Sequence, residues 1–398
     1  MTLFKNALLS SNQVRDILVD QGTIQLISTC IDSPTDHIID CEGRLLLSGM
    51  IDGHVHFRDP GFPQKEDATS GTKAALRGGV TSILDMPNTL PLCISTQELA
   101  HKKSIYRQNS YTNYGFHFGG DARDNSLQLS HPSQYAALKI FLNESTGYML
   151  VTDDNVLNNL FSKAHYIAVH AEGDAVDKAI YFAKKHHNTL YLCHISQAEE
   201  LQFIQDAKNK KLPIFAEVCP HHLLFNQKDT SALLTMKPSL RTTRDQDMLL
   251  QALDSGLLDT WGTDHAPHLI SEKETQLTYG IPVIEFALEL LLTLAKDMNW
   301  SHQKVESLYS SMPQNIFSIK KKGRITESYD ADFVLVEQDT SYTIHEKDIV
   351  SKCNWSPYLG RKVTSKIHST YIGGEEVYNA SSQEFKKSRY IKELSYDR

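Results

Sequence analysis

No excess of basic residues, no long uncharged apolar run and no cysteine framework occur in this chain of 398 residues. Its 48 acidic and 40 basic side chains leave a net charge of −8, which excludes the broad basic face that nucleic acid or an anionic membrane surface requires. No segment reaches the ~20 apolar residues of a membrane span. Met1–Ser10 lacks the apolar core behind basic residues that marks an export signal. The six cysteines (Cys30, Cys41, Cys93, Cys193, Cys219 and Cys353) form no CxxC pair and read as thiols of a reducing cytoplasm. Low-complexity segments and solenoid repeats are also lacking. What remains is an ordinary globular balance, 40% hydrophobic and 22% charged. The chain is long enough for one large domain with a smaller appendage, and the expected partner is a small molecule.

From about Arg44 to Trp261, short apolar runs alternate with longer amphipathic stretches. The candidate strands are Leu45–Leu47, Thr81–Asp85, Tyr114–Phe118, Ala137–Phe141, Tyr166–Val169, Leu190–Cys193, Ile214–Val218 and Asp259–Gly262. Helical patterns lie between most of them, such as Asp67–Arg77, Thr96–Gln108 and Ala175–Lys185, and Val283–Met298 follows the last. Alternating β and α elements call for a parallel sheet, and eight such strands predict a (β/α)₈ TIM barrel over 44–323, with the active site at the strand C-terminal ends. Residues 1–43 and 324–398 carry short β-like runs, Gln13–Val19, Phe333–Val336 and Lys366–Ile372, separated by turn residues. They predict a small β-sandwich domain built from both ends of the chain.

His54 and His56 lie in Ile51-Asp52-Gly53-His54-Val55-His56. On extended backbone, positions i and i+2 point the same way, so both imidazoles can reach one ion. Two strand-end histidines bonded to backbone would show the same pattern; recurrence separates the readings. His170 closes Ile167-Ala168-Val169-His170, His194 closes Leu190-Tyr191-Leu192-Cys193-His194, and Asp264 follows Trp261-Gly262-Thr263. In a barrel these side chains converge on one mouth, and imidazole and carboxylate are zinc ligands. Lys139 sits in the apolar run Ala136-Ala137-Leu138-Lys139-Ile140-Phe141. Its ammonium cannot ligate a cation, but a buried amine of lowered pKa can add carbon dioxide to give an anionic carbamate. Pairing with a buried carboxylate is the other reading. The polar stretch Asn143–Met149, with Gly147, reads either as a lid or as an ordinary connecting loop.

Five motifs resemble those of the dihydroorotases, cyclic-amide hydrolases of the amidohydrolase superfamily. They are Asp52-Gly53-His54-Val55-His56-Phe57-Arg58-Asp59-Pro60-Gly61, Asp85-Met86-Pro87-Asn88-Thr89, Leu138-Lys139-Ile140-Phe141-Leu142-Asn143-Glu144, Glu217-Val218-Cys219-Pro220-His221-His222-Leu223 and Gly262-Thr263-Asp264-His265-Ala266-Pro267-His268. They occur in the family's order over nearly the whole chain, and the Lys139 context resembles the class I branch with a carboxylated lysine.

The resemblance implies two zinc ions per subunit. His54, His56 and Asp264 would bind one, His170 and His194 the other, and carboxylated Lys139 would bridge them. It further implies reversible hydrolysis of dihydroorotate to N-carbamoyl-aspartate in pyrimidine biosynthesis, by metal-activated water with Asp264 as general acid and base. A homodimer, and association with an aspartate transcarbamoylase as in some members, are implied partners.

The ring carboxylate of that substrate calls for a forked cation. Arg58, two residues after His56, suits it, with a surface salt bridge as the plain alternative. By resemblance Asn88 and His268 contact the carboxylate and ring, and the backbone at Tyr279-Gly280 touches the ring. Lys237, which replaces the asparagine of Met-Asn-Pro-Pro-Leu-Arg in Met236-Lys237-Pro238-Ser239-Leu240-Arg241, supports substrate charge. Ile281-Pro282-Val283-Ile284-Glu285 departs from the usual Gly-Leu-Glu pattern. The rival readings are an allantoinase or dihydropyrimidinase, whose substrates lack the carboxylate, and an inactive relative serving as a regulatory subunit.

Overall fold

The aliphatic runs become strands buried on both faces, as parallel strands covered by helices must be. A computed structural model describes residues 1–129 and 131–398. Eight barrel strands run through Met50–Val55, Val80–Asp85, Asn113–Phe116 continued by Phe118–Gly119, Leu138–Phe141, Tyr166–His170, Thr189–Leu192, Ile214–Val218 and Thr260–Trp261. Neighbours pair in parallel, and a parallel bridge from Val55 to His265 closes the ring.

Helices follow the strands where the amphipathic stretches predict them. Ala68–Arg77 begins at Asp67, whose carboxylate accepts from the Thr69 and Ser70 amides, satisfying donors the first turn leaves free. The predicted helix Val283–Met298 is instead a 3₁₀ turn, Ile284–Phe286, followed by a helix over Ala287–Asp297. Among the described residues no helix is long and apolar enough to cross a membrane.

One expected strand belongs elsewhere. Leu45–Ser48 pairs with Leu8 and Leu9 of the strand Thr2–Leu9 on one side and with Phe333–Glu337 on the other. The barrel begins one strand later, at Met50. Both runs are wholly buried, so no alternation of polar and apolar residues tells them apart. Gly49 separates them where a Cβ would overlap the Thr81 side chain.

The terminal segments form a nine-stranded sheet that joins Thr2–Ser28 to Phe333–Phe385 through Leu45–Ser48. Thr2–Leu9 pairs His37–Asp40 at its start and Leu45–Leu46 at its end, with an irregularity between Phe4 and Ala7. The sheet thereby folds over its own core, where Phe4 packs edge-on against Phe333 and Tyr371 at 5.1 and 5.0 Å. The last residues leave this sheet. Leu394 and Tyr396 cluster with Ile51, Leu84, Ala168 and Phe317, at the barrel end opposite the strand C-termini.

Arg77 links barrel to sheet. Its Nη1 donates to Glu289 Oε2 at 2.7 Å and its Nη2 to the Tyr342 hydroxyl at 2.8 Å, while Glu289 Oε1 accepts the Ile367 amide at 3.1 Å. Glu289→Ala leaves a buried guanidinium uncompensated and is expected to lower stability by about 3–5 kcal/mol, measured by denaturant unfolding. A change below about 1 kcal/mol, the scale of an exposed pair, would show that water reaches Arg77.

Candidate active site and metal centre

The strand C-terminal ends gather the predicted ligands. His54 lies in the first strand, with His56 just beyond it. Lys139 lies in the fourth, His170 ends the fifth, and His194 and Asp264 follow the sixth and eighth. One oxygen of Asp264 sits 3.1 Å from His56 Nε2 and 3.3 Å from His54 Nε2. The donor atoms of these three residues lie within 4.8 Å of one another. Beside them His170 Nδ1 is 2.9 Å from His194 Nε2, and the His54 and His194 rings stand 5.3 Å apart.

Three of the site residues hold left-handed backbone: Arg58 (φ 63°), His194 (38°) and Asp264 (44°). Such conformations cost about 1–3 kcal/mol each away from glycine and concentrate at functional sites.

The electrostatics suit a cation. Burial opposes charge on His54, yet Glu217 and Asp264 outweigh it and hold its pKa well above the ordinary imidazole value. Burial also opposes charge on Asp264, but His54, His56 and His194 keep it ionised, well below the usual carboxylate range. His56 falls to about 4 through burial, and burial likewise lowers His170 and His194, leaving the neutral imidazole that ligates metals. Among the described residues His194 Nδ1 is buried without a hydrogen-bond partner, and His170 Nε2 has only the Glu172 carboxylate beside it, at 3.4 Å and outside hydrogen-bond geometry. Lys139 is fully buried, and among the described residues its amine donates only to Cys193 Sγ, at 2.9 Å. It has no carboxylate partner among the described residues, contrary to the simple ion-pair reading. These orphaned groups fit a metal centre.

Partners behind the ligands orient them. Glu217 Oε1 accepts from His54 Nδ1 at 2.8 Å and from the His194 amide at 2.9 Å, while its Oε2 accepts the Tyr191 hydroxyl at 2.6 Å. Asn88 Oδ1 lies 2.7 Å from His56 Nδ1. Such contacts set the tautomer and aim of a metal-binding histidine. Glu217 also stands with Cys193 on the far side of His54, their donor atoms and those of His54 within 4.8 Å. Neither was singled out as a site residue from sequence, although Glu217 stands one residue before the end of a barrel strand.

Arg58 opens into the same cleft as His56 and Asp264. It is 4% exposed. Its Nε donates to the Pro267 carbonyl at 3.1 Å, and its Nη2 lies 3.0 Å from His268 Nε2. Among the described residues no carboxylate is within ion-pair reach, so the salt-bridge alternative does not hold. Burial lowers its pKa only to about 10, leaving it charged at neutral pH.

Lys237 lines the cleft too, its ammonium 5.3 Å from the Tyr279 ring centroid. His268 Nε2 is 3.0 Å from the Tyr279 carbonyl, and Trp355 Nε1 donates to the His268 carbonyl at 2.7 Å. Gly280 (φ 130°) is pressed against Ala266, where a Cβ would come within 2.5 Å of the carbonyl oxygen. Tyr279 and Gly280 therefore present backbone to the cleft.

Thr146, within the stretch Asn143–Met149, bonds to both sides of this opening. Asn88 Nδ2 donates to the Thr146 carbonyl at 3.1 Å, and Thr146 Oγ1 donates to the Tyr279 carbonyl at 3.2 Å. Ser145 and Thr146, inside the stretch expected from sequence to be a lid or a connecting loop, line the cleft, although neither was named individually as a substrate contact.

Residues 45–377 match the amidohydrolase family. A dihydroorotase of Methanosphaera stadtmanae is 33% identical, the match covering 98% of this chain and 99% of that protein. A dihydroorotase of Halobacterium salinarum is 31% identical over 90% of this chain and 92% of its own. Among solved structures, an L-hydantoinase (dihydropyrimidinase) from Arthrobacter aurescens superimposes with a TM-score of 0.91 at 22% identity, covering 99% of both chains. A dihydropyrimidinase from Brevibacillus agri gives 0.89 at 23%. At that identity the likeness speaks for the fold, a barrel with a β-sandwich, and the full-length sequence matches speak for the family. With the ligand set gathered at the strand ends and the family match spanning the barrel, the chain belongs to the amidohydrolase family, among its dihydroorotases.

Proposed function

We propose that this chain is a metal-dependent cyclic amidohydrolase that interconverts dihydroorotate and N-carbamoyl-aspartate, a soluble cytoplasmic enzyme of pyrimidine biosynthesis. The observation that carries the substrate is Arg58, a buried guanidinium without a carboxylate partner among the described residues, opening into the same cleft as Asp264. A ring carboxylate supplies the missing anion. Dihydropyrimidines and allantoin do not, which disfavours those readings.

His54, His56 and Asp264 are the residues to hold one zinc ion and His170 and His194 a second, with Lys139, as its carbamate, between them. Bound zinc supplies Lewis acidity and lowers the pKa of water towards ~7. In the hydrolytic direction Asp264 takes the proton of the attacking water and returns it to the ring nitrogen as the carbon–nitrogen bond breaks. In the reverse direction it removes a proton from the carbamoyl nitrogen, which then attacks the side-chain carboxyl carbon as water departs. Arg58 and Lys237 hold the ring carboxylate. The Tyr279-Gly280 backbone and His268 position the ring. Asn88 aims His56 and contacts substrate once Thr146 releases its amide. Thr146, bonded to both sides of the cleft, excludes water when closed.

The deciding assay follows L-dihydroorotate beside dihydrouracil, hydantoin and allantoin. Turnover of dihydroorotate alone supports the reading, and turnover of the uncharged rings alone overturns it. Chelation is expected to abolish activity and zinc to restore it. Lys139→Met should lose at least ~10³-fold in kcat, since it removes the anion proposed to sit between both ions. Full activity of Lys139→Met would rule out the bridging role. An inactive regulatory subunit is disfavoured because all six ligand positions carry competent residues. The homodimer and the transcarbamoylase association rest on the family resemblance, and size-exclusion chromatography alone and with that enzyme tests them.

A further inference from the structure

The segment after the seventh barrel strand contains three buried donor groups with no place in the proposed reaction. Cys219, His221 and His222 are 0%, 1% and 3% exposed, and their donor atoms lie within 4.8 Å of one another. Among the described residues neither ring nitrogen of His221 has a hydrogen-bond partner, and neither does Nδ1 of His222. Polar groups buried this deeply are nearly always satisfied, and an unmodified orphan calls for an explanation such as a missing ion.

The other nitrogen of His222 is engaged. Nε2 lies 3.1 Å from the Pro238 carbonyl and must donate to it, which leaves Nδ1 with the free lone pair. A ligating histidine is held in just this way, its second N–H on a backbone carbonyl. Cys219 Sγ has Glu217 Oε1 at 3.8 Å, a carboxylate placed to offset the net positive charge left when one thiolate and two neutral imidazoles hold a divalent ion.

We propose that Cys219, His221 and His222 form a separate cation site, selective for zinc or another thiolate-tolerant divalent metal. One sulfur and two imidazole donors suit zinc and cobalt(II), whereas magnesium and calcium take oxygen. With every donor buried and none directed at the substrate cleft, the role is structural. The ion ties the end of the seventh strand to the turn at Pro238, and so steadies Lys237, the residue before it. The site stands whether or not the reaction assigned above is correct, because it uses none of the residues proposed to hold the catalytic pair.

Cobalt(II) loaded into the intact, metal-stripped protein tests it, since a thiolate ligand gives a near-ultraviolet charge-transfer band that nitrogen and oxygen ligands do not. The band is expected in the unaltered protein and in Cys193→Ser, and absent in Cys219→Ser. Zinc content should fall by one equivalent per chain in Cys219→Ser and in His221→Ala. No band in the unaltered protein overturns the proposal. So does a band that survives Cys219→Ser, or one that disappears in Cys193→Ser, which would assign the sulfur to the group beside His54. If Cys219→Ser does not fold, a band kept in Cys193→Ser and lost in His221→Ala supports the site, and a band unchanged in His221→Ala overturns it.

Discussion

Asp264→Asn is expected to lower kcat for dihydroorotate by about 10³-fold or more, because positioned proton transfer alone contributes ~10²–10⁴-fold and the same carboxylate is a proposed metal ligand. The substitution keeps shape and one carbonyl oxygen but removes the group that takes up a proton. The surroundings of Asp264 favour its ionised form. His54, His56 and His194 overcome its burial, and one oxygen is shared between two imidazoles at 3.1 and 3.3 Å. Its low pKa in the free chain fits a base at neutral pH, and protonation returns only as water gives up its hydrogen. Steady-state kinetics beside zinc content separates the two roles. Loss of turnover with zinc retained assigns proton transfer. Loss of both assigns ligation as well. Activity within tenfold of the unaltered protein would exclude Asp264 as the acid and base.

Arg58→Met should act mainly on substrate recognition. Truncating one partner of a buried charge pair costs about 2–5 kcal/mol, so kcat/KM for dihydroorotate is expected to fall by roughly 30- to 4,000-fold, with most of the change in KM. Methionine fills much of the same volume, which limits collapse of the cleft wall. The guanidinium is held by the Pro267 carbonyl and faces His268, so its departure also loosens the ring-contacting side. The diagnostic quantity is the ratio of dihydroorotate to dihydrouracil turnover. If Arg58 reads the carboxylate, the ratio collapses while any trace activity on the uncharged ring is kept or rises. A uniform loss on both substrates would instead make Arg58 a packing residue of the mouth.

Much of this was legible in the chain itself. A buried parallel strand needs an aliphatic run, and a barrel delivers to one mouth whatever stands at the end of each run. Histidines at 54, 56, 170 and 194 and the carboxylate at 264 could therefore be placed together before any coordinates. Lys139 was conspicuous because a cation inside an apolar run is costly. The limits were equally physical. Leu45–Ser48 and Met50–Val55 are both apolar and both fully buried. Only long-range pairing with Thr2–Leu9 and Phe333–Glu337 assigns the first to the terminal sheet.

Composition and local pattern thus determined the fold class and the residue types at the catalytic mouth, since each depends on a short stretch of chain and its burial. Tertiary structure decided the rest. It placed Glu217 behind His54 across 163 positions, Thr146 against Tyr279 across 133 and Arg77 against Glu289 across 212. It also left Arg58 without a carboxylate within ion-pair reach among the described residues and set His222 against the Pro238 carbonyl across 16 positions. The reason is common to all of these: a contact between distant residues depends on which surfaces meet when the barrel closes. No periodicity within one segment encodes that meeting.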